Sequence, residues 1–359
     1  MTWSSRLTVR VLLALLAFAV LARLPAGLDI GFQFDAALAV VWGFGILSLV
    51  LLTGYVGQVS LCQATFAGVG AYAAGMMVST YHVSYLIAIA VAVLAAFLLG
   101  VVVGLPALRL SGITLAIVTL GIALVFDRYV FQDAAFAWFT GGSAGWRVDG
   151  ARMFGQQMDS SRHLMAAYTV LVALFCGVAL LMVNLHESGA GRRFRAIRDS
   201  ELAASTMGVN LTRYKLLAFG MSAAIAGLGG SFYPLVAGSV SPQPFWLFTS
   251  LQLAAIAVLM GVRYVPAAAL GGVFMAFVPD VLTRFGHGTF RGQTYDISFD
   301  WFQIAVGVLL VVQLILLPDG VWGDLRHRVL RAAKHARLGS RAGTQAKGQE
   351  TRQEEVRLA

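Results

Sequence analysis

Ten apolar runs separated by short polar stretches organise the chain, at roughly 7–24, 36–52, 60–78, 84–104, 112–126, 164–184, 216–236, 247–262, 265–283 and 301–317. The barest part runs from Ala36 to Leu108, 73 residues without one Asp, Glu, Lys or Arg. A hydrocarbon core takes ~20 apolar residues per helix, so this stretch holds three spans joined by short turns. The pattern predicts an all-α polytopic membrane protein of about ten transmembrane helices. The fifth run is short and is expected either to extend past Asp127 or to cross at a thin place. The first reads as a membrane helix. A signal peptide is its other reading, because Arg6 and Arg10 precede the uncharged run Val11 to Ala22, but no clear small-x-small cleavage site follows.

Composition strengthens this picture. Hydrophobic residues make up 58% of the chain and charged ones 12%, with a mean hydropathy of +0.78. Soluble domains carry roughly 25% charged residues, so too little polar surface remains here to cover a water-soluble globule. The 39 glycines fit as well, since glycine is more frequent in membrane helices than in soluble ones.

Charge sets the orientation. With a cytoplasmic N-terminus and ten spans, 19 of the 26 Lys and Arg residues fall on the cytoplasmic side, six of them between 186 and 215 and nine in the tail. Positive residues collect on the inner side, so both termini are expected to be cytoplasmic. The net charge of +9 is then a basic membrane face, which excludes nucleic-acid binding. Cys62 and Cys176 lie inside apolar runs, and His82, His163, His186, His287, His327 and His335 are scattered. Neither set has metal-ligand spacing, so no metal or cofactor is expected.

Three polar pieces remain. Segment 127–163 contains FTGGSAGW, Phe139 to Trp146, whose glycines read as a turn. Segment 186–215 is long and patterned: Ala196 to Met207 is expected as one short helix, with Asp199 and Glu201 near its start and Gly208 as its stop. Ile197, Leu202 and Ala203 make that helix amphipathic and suited to a partner's groove. The chain thus divides into a membrane domain, 1–325, and a basic tail, 326–359, too poor in apolar residues to fold.

Six blocks resemble one family in its own order. They are YVGQVSLCQATFAGVGAY (Tyr55 to Tyr72), RLSGITLAIVTLGIA (Arg109 to Ala123), TGGSAGW (Thr140 to Trp146), the 39 residues from Arg195 to Tyr233, SPQPF (Ser241 to Phe245) and PDGVWG (Pro318 to Gly323). The family is the LivM-type permease subunit of bacterial ABC importers for branched-chain amino acids. The resemblance implies that the cytoplasmic helix in 186–215 is a coupling helix docking into an ATPase subunit. Glu201, Ala203, Ala204 and Gly208 match its Glu-x-Ala-Ala-x3-Gly form, with Arg198 helping to orient it. It also implies a second homologous permease chain, two cytoplasmic ATP-binding subunits, an extracytoplasmic solute-binding protein and a place in the bacterial inner membrane. Two departures bear on the solute: Ser60-Leu61-Cys62-Gln63 stands where the family has Ser-Leu-Gly-His, and Gly261-Val262-Arg263 where it has Gly-Gly and a small residue.

The energy source can be read without the family. A phosphate-binding loop ends in Gly-Lys-Ser/Thr, yet the three lysines, Lys215, Lys334 and Lys347, follow Tyr214, Ala333 and Ala346. ATP must therefore be hydrolysed by a separate chain, and this one is a transport subunit rather than an enzyme. Acids sit at span ends or in loops, which tells against ion coupling within the chain. Polar residues inside or beside the spans, Gln58, Ser60, Gln63, Thr65, Thr114 and Thr119, are candidates for a neutral pathway lining, or else for helix–helix hydrogen bonds. Gly100, Gly104, Gly227, Gly229 and Gly230 read as close-packing positions. The expected function is the permease subunit of an ATP-driven importer for branched-chain or other small amino acids. Urea or short amides are alternative solutes. A secondary transporter or channel is an alternative class, and a structural or signalling membrane protein a third.

Overall fold

The computed structural model describes residues 3–148 except 26 and 28, then 151–153, 156–158, 164–290, 293–296 and a few positions between 304 and 328. The tenth apolar run and the tail fall largely outside these residues. The main helices are α1 (Trp3–Arg23), α2 (Ile30–Leu49), α3 (Gln63–Tyr81), α4 (Tyr85–Gly104), α5 (Gly112–Val125), α6 (Leu164–Glu187), α7 (Gly189–Asp199), α8 (Glu201–Thr206), α9 (Leu211–Ala237), α10 (Leu247–Met260) and α11 (Val265–Gly286). Five stretches among the described residues are long and apolar enough to cross a bilayer: Ile30–Tyr55, Tyr85–Gly104, Gly112–Val130, Leu164–Glu187 and Leu211–Ala237. The fifth run does extend past Asp127, through a wider π-helical turn at Phe126–Val130.

The bundle is built around α9, which packs against α4, α3 and α2, while α11 packs along α2. Small residues make this possible. A Cβ at Gly230 would land on the Ala67 carbonyl of α3, one at Gly227 on Ala96 of α4, and one at Gly229 on Phe44 of α2. Gly100 likewise faces Ala223. The close-packing assignment of these glycines holds, and it lets backbones approach where lipid supplies no hydrophobic drive between helices. By contrast α4 and α5 expose Leu94, Leu98, Val102, Ile113 and Ile117, an apolar face suited to lipid. Helix α1 lies against α6, where Tyr168 donates to the Leu21 carbonyl and Arg10 pairs with Glu187.

One segment departs from the expected run at 60–78. The chain leaves α2 through a π-helical turn, Val50–Tyr55, continues without helix over 56–62, and begins α3 only at Gln63. Gln58 and Ser60 therefore sit in a link rather than on a helix, and most of that link is buried. Its backbone finds partners in other elements: the Leu61 amide donates to Thr119 Oγ1 of α5 at 3.0 Å. At the start of α3 the Ala64 amide donates to Ser250 Oγ of α10 at 3.1 Å.

At the far end of α9 the glycine-rich turn is present, with Gly141, Gly142 and Gly145 in the left-handed region. It leads into the strand Trp146–Arg147, which pairs antiparallel with Ser239–Val240 and so ties the loop after α5 to the end of α9. Two further antiparallel pairs, Ala151–Met153 with Gln156–Met158 and His287–Phe290 with Gln293–Asp296, are local hairpins.

Candidate functional site

The polar segment between α6 and α9 is ordered by three successive caps. Ser188 Oγ accepts from the Gly191 amide at the start of α7, Ser200 Oγ from the Ala203 amide at the start of α8, and Asn210 Oδ1 from the Arg213 amide at the start of α9. Side-chain oxygens at these positions satisfy amides that the first helical turn leaves free. The single helix expected over Ala196–Met207 is thus two helices. Ser200 is extended (φ −163°, ψ 116°) and separates them, because a serine that caps a helix stands outside helical geometry. Gly208 does end α8, at φ +80°. Among the described residues no atom lies within 4 Å of where its Cβ would be, so backbone conformation rather than crowding demands glycine there.

The five residues singled out in this segment divide between two faces. Inward, Phe194, Ile197 and Ala204 are buried in the bundle. Arg198 Nη1 donates to the Gly54 carbonyl in the π-helical turn after α2, at 2.6 Å. Gly57, at φ +77°, lies against the aliphatic part of Arg198, where a Cβ would collide with it. Burial, with the Arg263 charge nearby, pushes the Arg198 guanidinium below its usual pKa, but arginine stays charged. Glu201 pairs with Lys215 of α9 at 2.8 Å. Lys215 is buried and also donates to the Ala107 carbonyl, just beyond α4, at 3.1 Å. Outward stand Ala203 and Gly208, together with Leu202 and Met207, which are 77% and 82% exposed. Two large apolar side chains this exposed beside a basic segment form a patch fit for a protein partner. Met207 escaped the sequence analysis, where it served only as a helix boundary.

The candidate lining residues gather mainly around the link between α2 and α3. Gln63 is fully buried, its Oε1 accepting from Ser48 Oγ at 2.9 Å and its Nε2 donating to Ser222 Oγ at 3.4 Å. Ser222 Oγ donates in turn to the Ser48 carbonyl, so α2, α3 and α9 share one polar knot. Thr119 donates to the Ala116 carbonyl as well as accepting from Leu61. Ser60 Oγ lies 3.2 Å from Cys62 Sγ, and Thr65 is buried on α3. Gln58 is buried with neither amide atom partnered among the described residues. Thr114 is exposed on α5, apart from the knot. In the second family departure, Gly261 takes φ +103° and the Val262 carbonyl abuts Gly54, so that turn meets the turn that Arg198 grips.

At the other end of the bundle the structure adds polar residues the sequence did not flag. Asp127, Arg128 and Gln132 face Ser241–Gln243 and Trp246 across a cleft, with Gln132 Nε2 donating to Asp127 Oδ1 at 2.9 Å. The amide of Gln252, a lone polar group of its size in the apolar run 247–262, was the available signal.

Comparison with known proteins agrees with this architecture. The family described as "Branched-chain amino acid transport system / permease component" matches residues 33–314. The chain is 27% identical to the high-affinity branched-chain amino acid transport system permease protein LivM of Escherichia coli, over 88% of this chain and 75% of that one. It is 22% identical to LivH of the same organism over 49% of this chain and 53% of that protein. It is also 26% identical to the autoinducer 2 import system permease protein LsrC of an Enterobacter strain, over 82% and 80%. No solved structure matches. A multi-pass helical bundle whose sequence fits this family over most of its length is a transport subunit and not an enzyme: the chain belongs to the permease components of branched-chain amino acid transport systems.

Proposed function

We propose that this chain is one of two homologous permease subunits in an ATP-driven importer of branched-chain or other small amino acids. Two separate cytoplasmic subunits hydrolyse ATP, and an extracytoplasmic binding protein delivers the solute. The reading carries ten spans, both termini in the cytoplasm of a bacterial cell, a membrane domain over 1–325 and a cytoplasmic tail over 326–359. Segment 186–215 couples the ATPases to the bundle, and the knot around Gln63, with Gln58, Ser60, Thr65 and Thr119, lies beside the solute route.

The observation that carries this reading is the two-faced construction of α7 and α8. Leu202 and Met207 project outward, while Arg198 and the Glu201–Lys215 pair fasten the same segment to the turns after α2 and α4. A partner pressing on the outer face moves both turns together. The chain's lysine contexts support a separate ATPase, since none completes a Gly-Lys-Ser/Thr loop.

The test is purification of the tagged chain with its neighbours, followed by uptake in proteoliposomes. ATPase chains should co-purify and uptake should require ATP inside the binding-protein-loaded system. Uptake by the permease chains alone would overturn the reading in favour of a secondary transporter. The likeness to LsrC supports trying solutes other than amino acids in the same assay.

A further inference from the structure

Two adjoining clefts lie at the end of the bundle remote from α8. Helix α9 begins beside the Glu201–Lys215 pair and runs 27 residues, about 40 Å at 1.5 Å per residue, before Ser241–Trp246 follow it. The outer cleft, about 590 Å³, is lined by Asp127, Arg128, Gln132, Gln243 and Trp246 among others. The inner one, about 400 Å³, shares Gln243 and Trp246 and adds Trp42, Thr249, Gln252 and Met275. Both volumes fall within the ~300–1,000 Å³ usual for small-molecule sites.

Gln252 distinguishes the inner cleft. It is 6% exposed, and among the described residues neither its Nε2 nor its Oε1 has a hydrogen-bond partner. An amide buried without partners is unfavourable unless something else meets it. Around it stand two indoles, a thioether, a proline, one hydroxyl and a second amide, that of Gln243, a largely apolar wall with few polar groups, as small-molecule sites are built. Among the described residues no fixed charge lines this inner space, whereas the outer cleft carries one carboxylate and one guanidinium.

We propose that the inner cleft is a transient binding station for a small zwitterionic amino acid, with Gln252 meeting its charged end and Trp42, Trp246 and Met275 enclosing its aliphatic side chain. A primary amide offers two donors and an acceptor, so it can meet a carboxylate and an ammonium at once. It holds neither with the strength of a full charge, which lets the solute leave. Asp127 and Arg128 give the zwitterion its first contacts in the outer cleft, and Trp246 stands on the wall common to both. This inference rests on the permease reading above and adds the place where the solute pauses.

The test uses the complete importer in proteoliposomes, with radiolabelled L-leucine, L-valine, urea and acetamide as probes. Gln252→Leu should lower leucine and valine uptake about ten-fold, the scale of one lost buried hydrogen bond, in complexes that still purify with all subunits. Gln252→Asn, which keeps the amide, should retain more uptake than Gln252→Leu. In a chain carrying Cys62→Ala and Cys176→Ala, leucine should slow modification of Gln252→Cys by a small thiol reagent, and urea should not. Parental uptake by Gln252→Leu, or labelling of Gln252→Cys at one rate with and without leucine, would overturn the station while leaving the permease function standing. A parental complex that carries neither amino acid would remove the permease reading for amino acids and the station with it.

Discussion

Arg198 of α7 holds the carbonyl of Gly54, 144 positions earlier in the chain, at 2.6 Å. The bond joins the segment that faces a partner to the turn where α2 gives way to a non-helical link. Because the donor is charged, the bond is worth about 1.5–3 kcal/mol. Arg198→Ala should therefore lower thermal stability in detergent by that order and reduce uptake more than it reduces ATPase binding. Arg198→Lys, a point charge without the planar fork, should recover stability only in part. Unchanged uptake in Arg198→Ala, measured in proteoliposomes beside subunit stoichiometry, would deny the bond a coupling role.

The Glu201–Lys215 pair predicts an asymmetry. The Lys215 side chain is 3% exposed and that of Glu201 40%. Glu201→Gln leaves a buried ammonium without its counter-charge, held only by neutral oxygens such as the Ala107 carbonyl, and should cost up to about 3 kcal/mol. Lys215→Met leaves only a half-exposed carboxylate, which water can solvate, and should cost less. The double variant should resemble Lys215→Met. Melting curves of the three purified chains decide it, and equal losses for both single variants would contradict the burial difference.

The outer face of α8 gives a third expectation. Leu202→Glu and Met207→Glu change residues the bundle does not need, so the chain should insert normally but lose the ATPases on purification. Gly208→Val should act similarly, since a β-branched residue strongly disfavours φ near +80°. Arg341→Glu, in the tail, should change neither ATPase retention nor uptake. Retention of the ATPases by all three altered forms of α8 would reduce 186–215 to a charged loop.

Glycines should separate by what surrounds them. Gly230→Ala forces a methyl onto the Ala67 carbonyl and should destabilise by about 1–3 kcal/mol, the usual cost of overpacking. Gly177, where no atom of the described residues lies within 4 Å of an added Cβ, should accept Ala with no loss and up to about 1 kcal/mol of gain. Parallel melting curves check the contrast.

Topology is open to single-cysteine labelling in a background without Cys62 and Cys176. Positions 205 and 340 should resist an impermeant reagent outside intact cells, and positions 150 and 290 should react. Reaction at 205 from outside would invert the orientation and remove the coupling role of α8.

How much of this was legible follows from which signals are local. Apolar run length foretold α4, α6 and α9 because bilayer thickness sets it. The small-residue pattern of Gly227, Gly229 and Gly230 foretold close packing, and Gly208 foretold a helix stop. The break at Ser200 was missed because serine serves equally as an interior residue or a cap, and only tertiary anchoring of Ile197 and Ala204 selects the cap. The partner of Glu201 was missed for a related reason. An acid near a helix start is explained by the helix dipole alone, and nothing local says that Lys215 folds back onto it. Gln252 was hidden by its apolar neighbours, since hydropathy averages a single amide away.

The link at 56–62 has a consequence for how the protein is made. Gly54, Leu61 and Ala64 take partners from Arg198, Thr119 and Ser250, the last of them 186 positions downstream. Backbone groups in an apolar environment must be satisfied within the protein. While the ribosome is still working, the donors and acceptors around the link have only water, lipid headgroups or the insertion machinery to answer them. The first third of the chain can be threaded into the bilayer early, but it cannot be finished until the last third arrives. A chain stalled before Ser250 is thus an unripe intermediate with an open seam, its Ala64 amide still waiting for the hydroxyl that closes it.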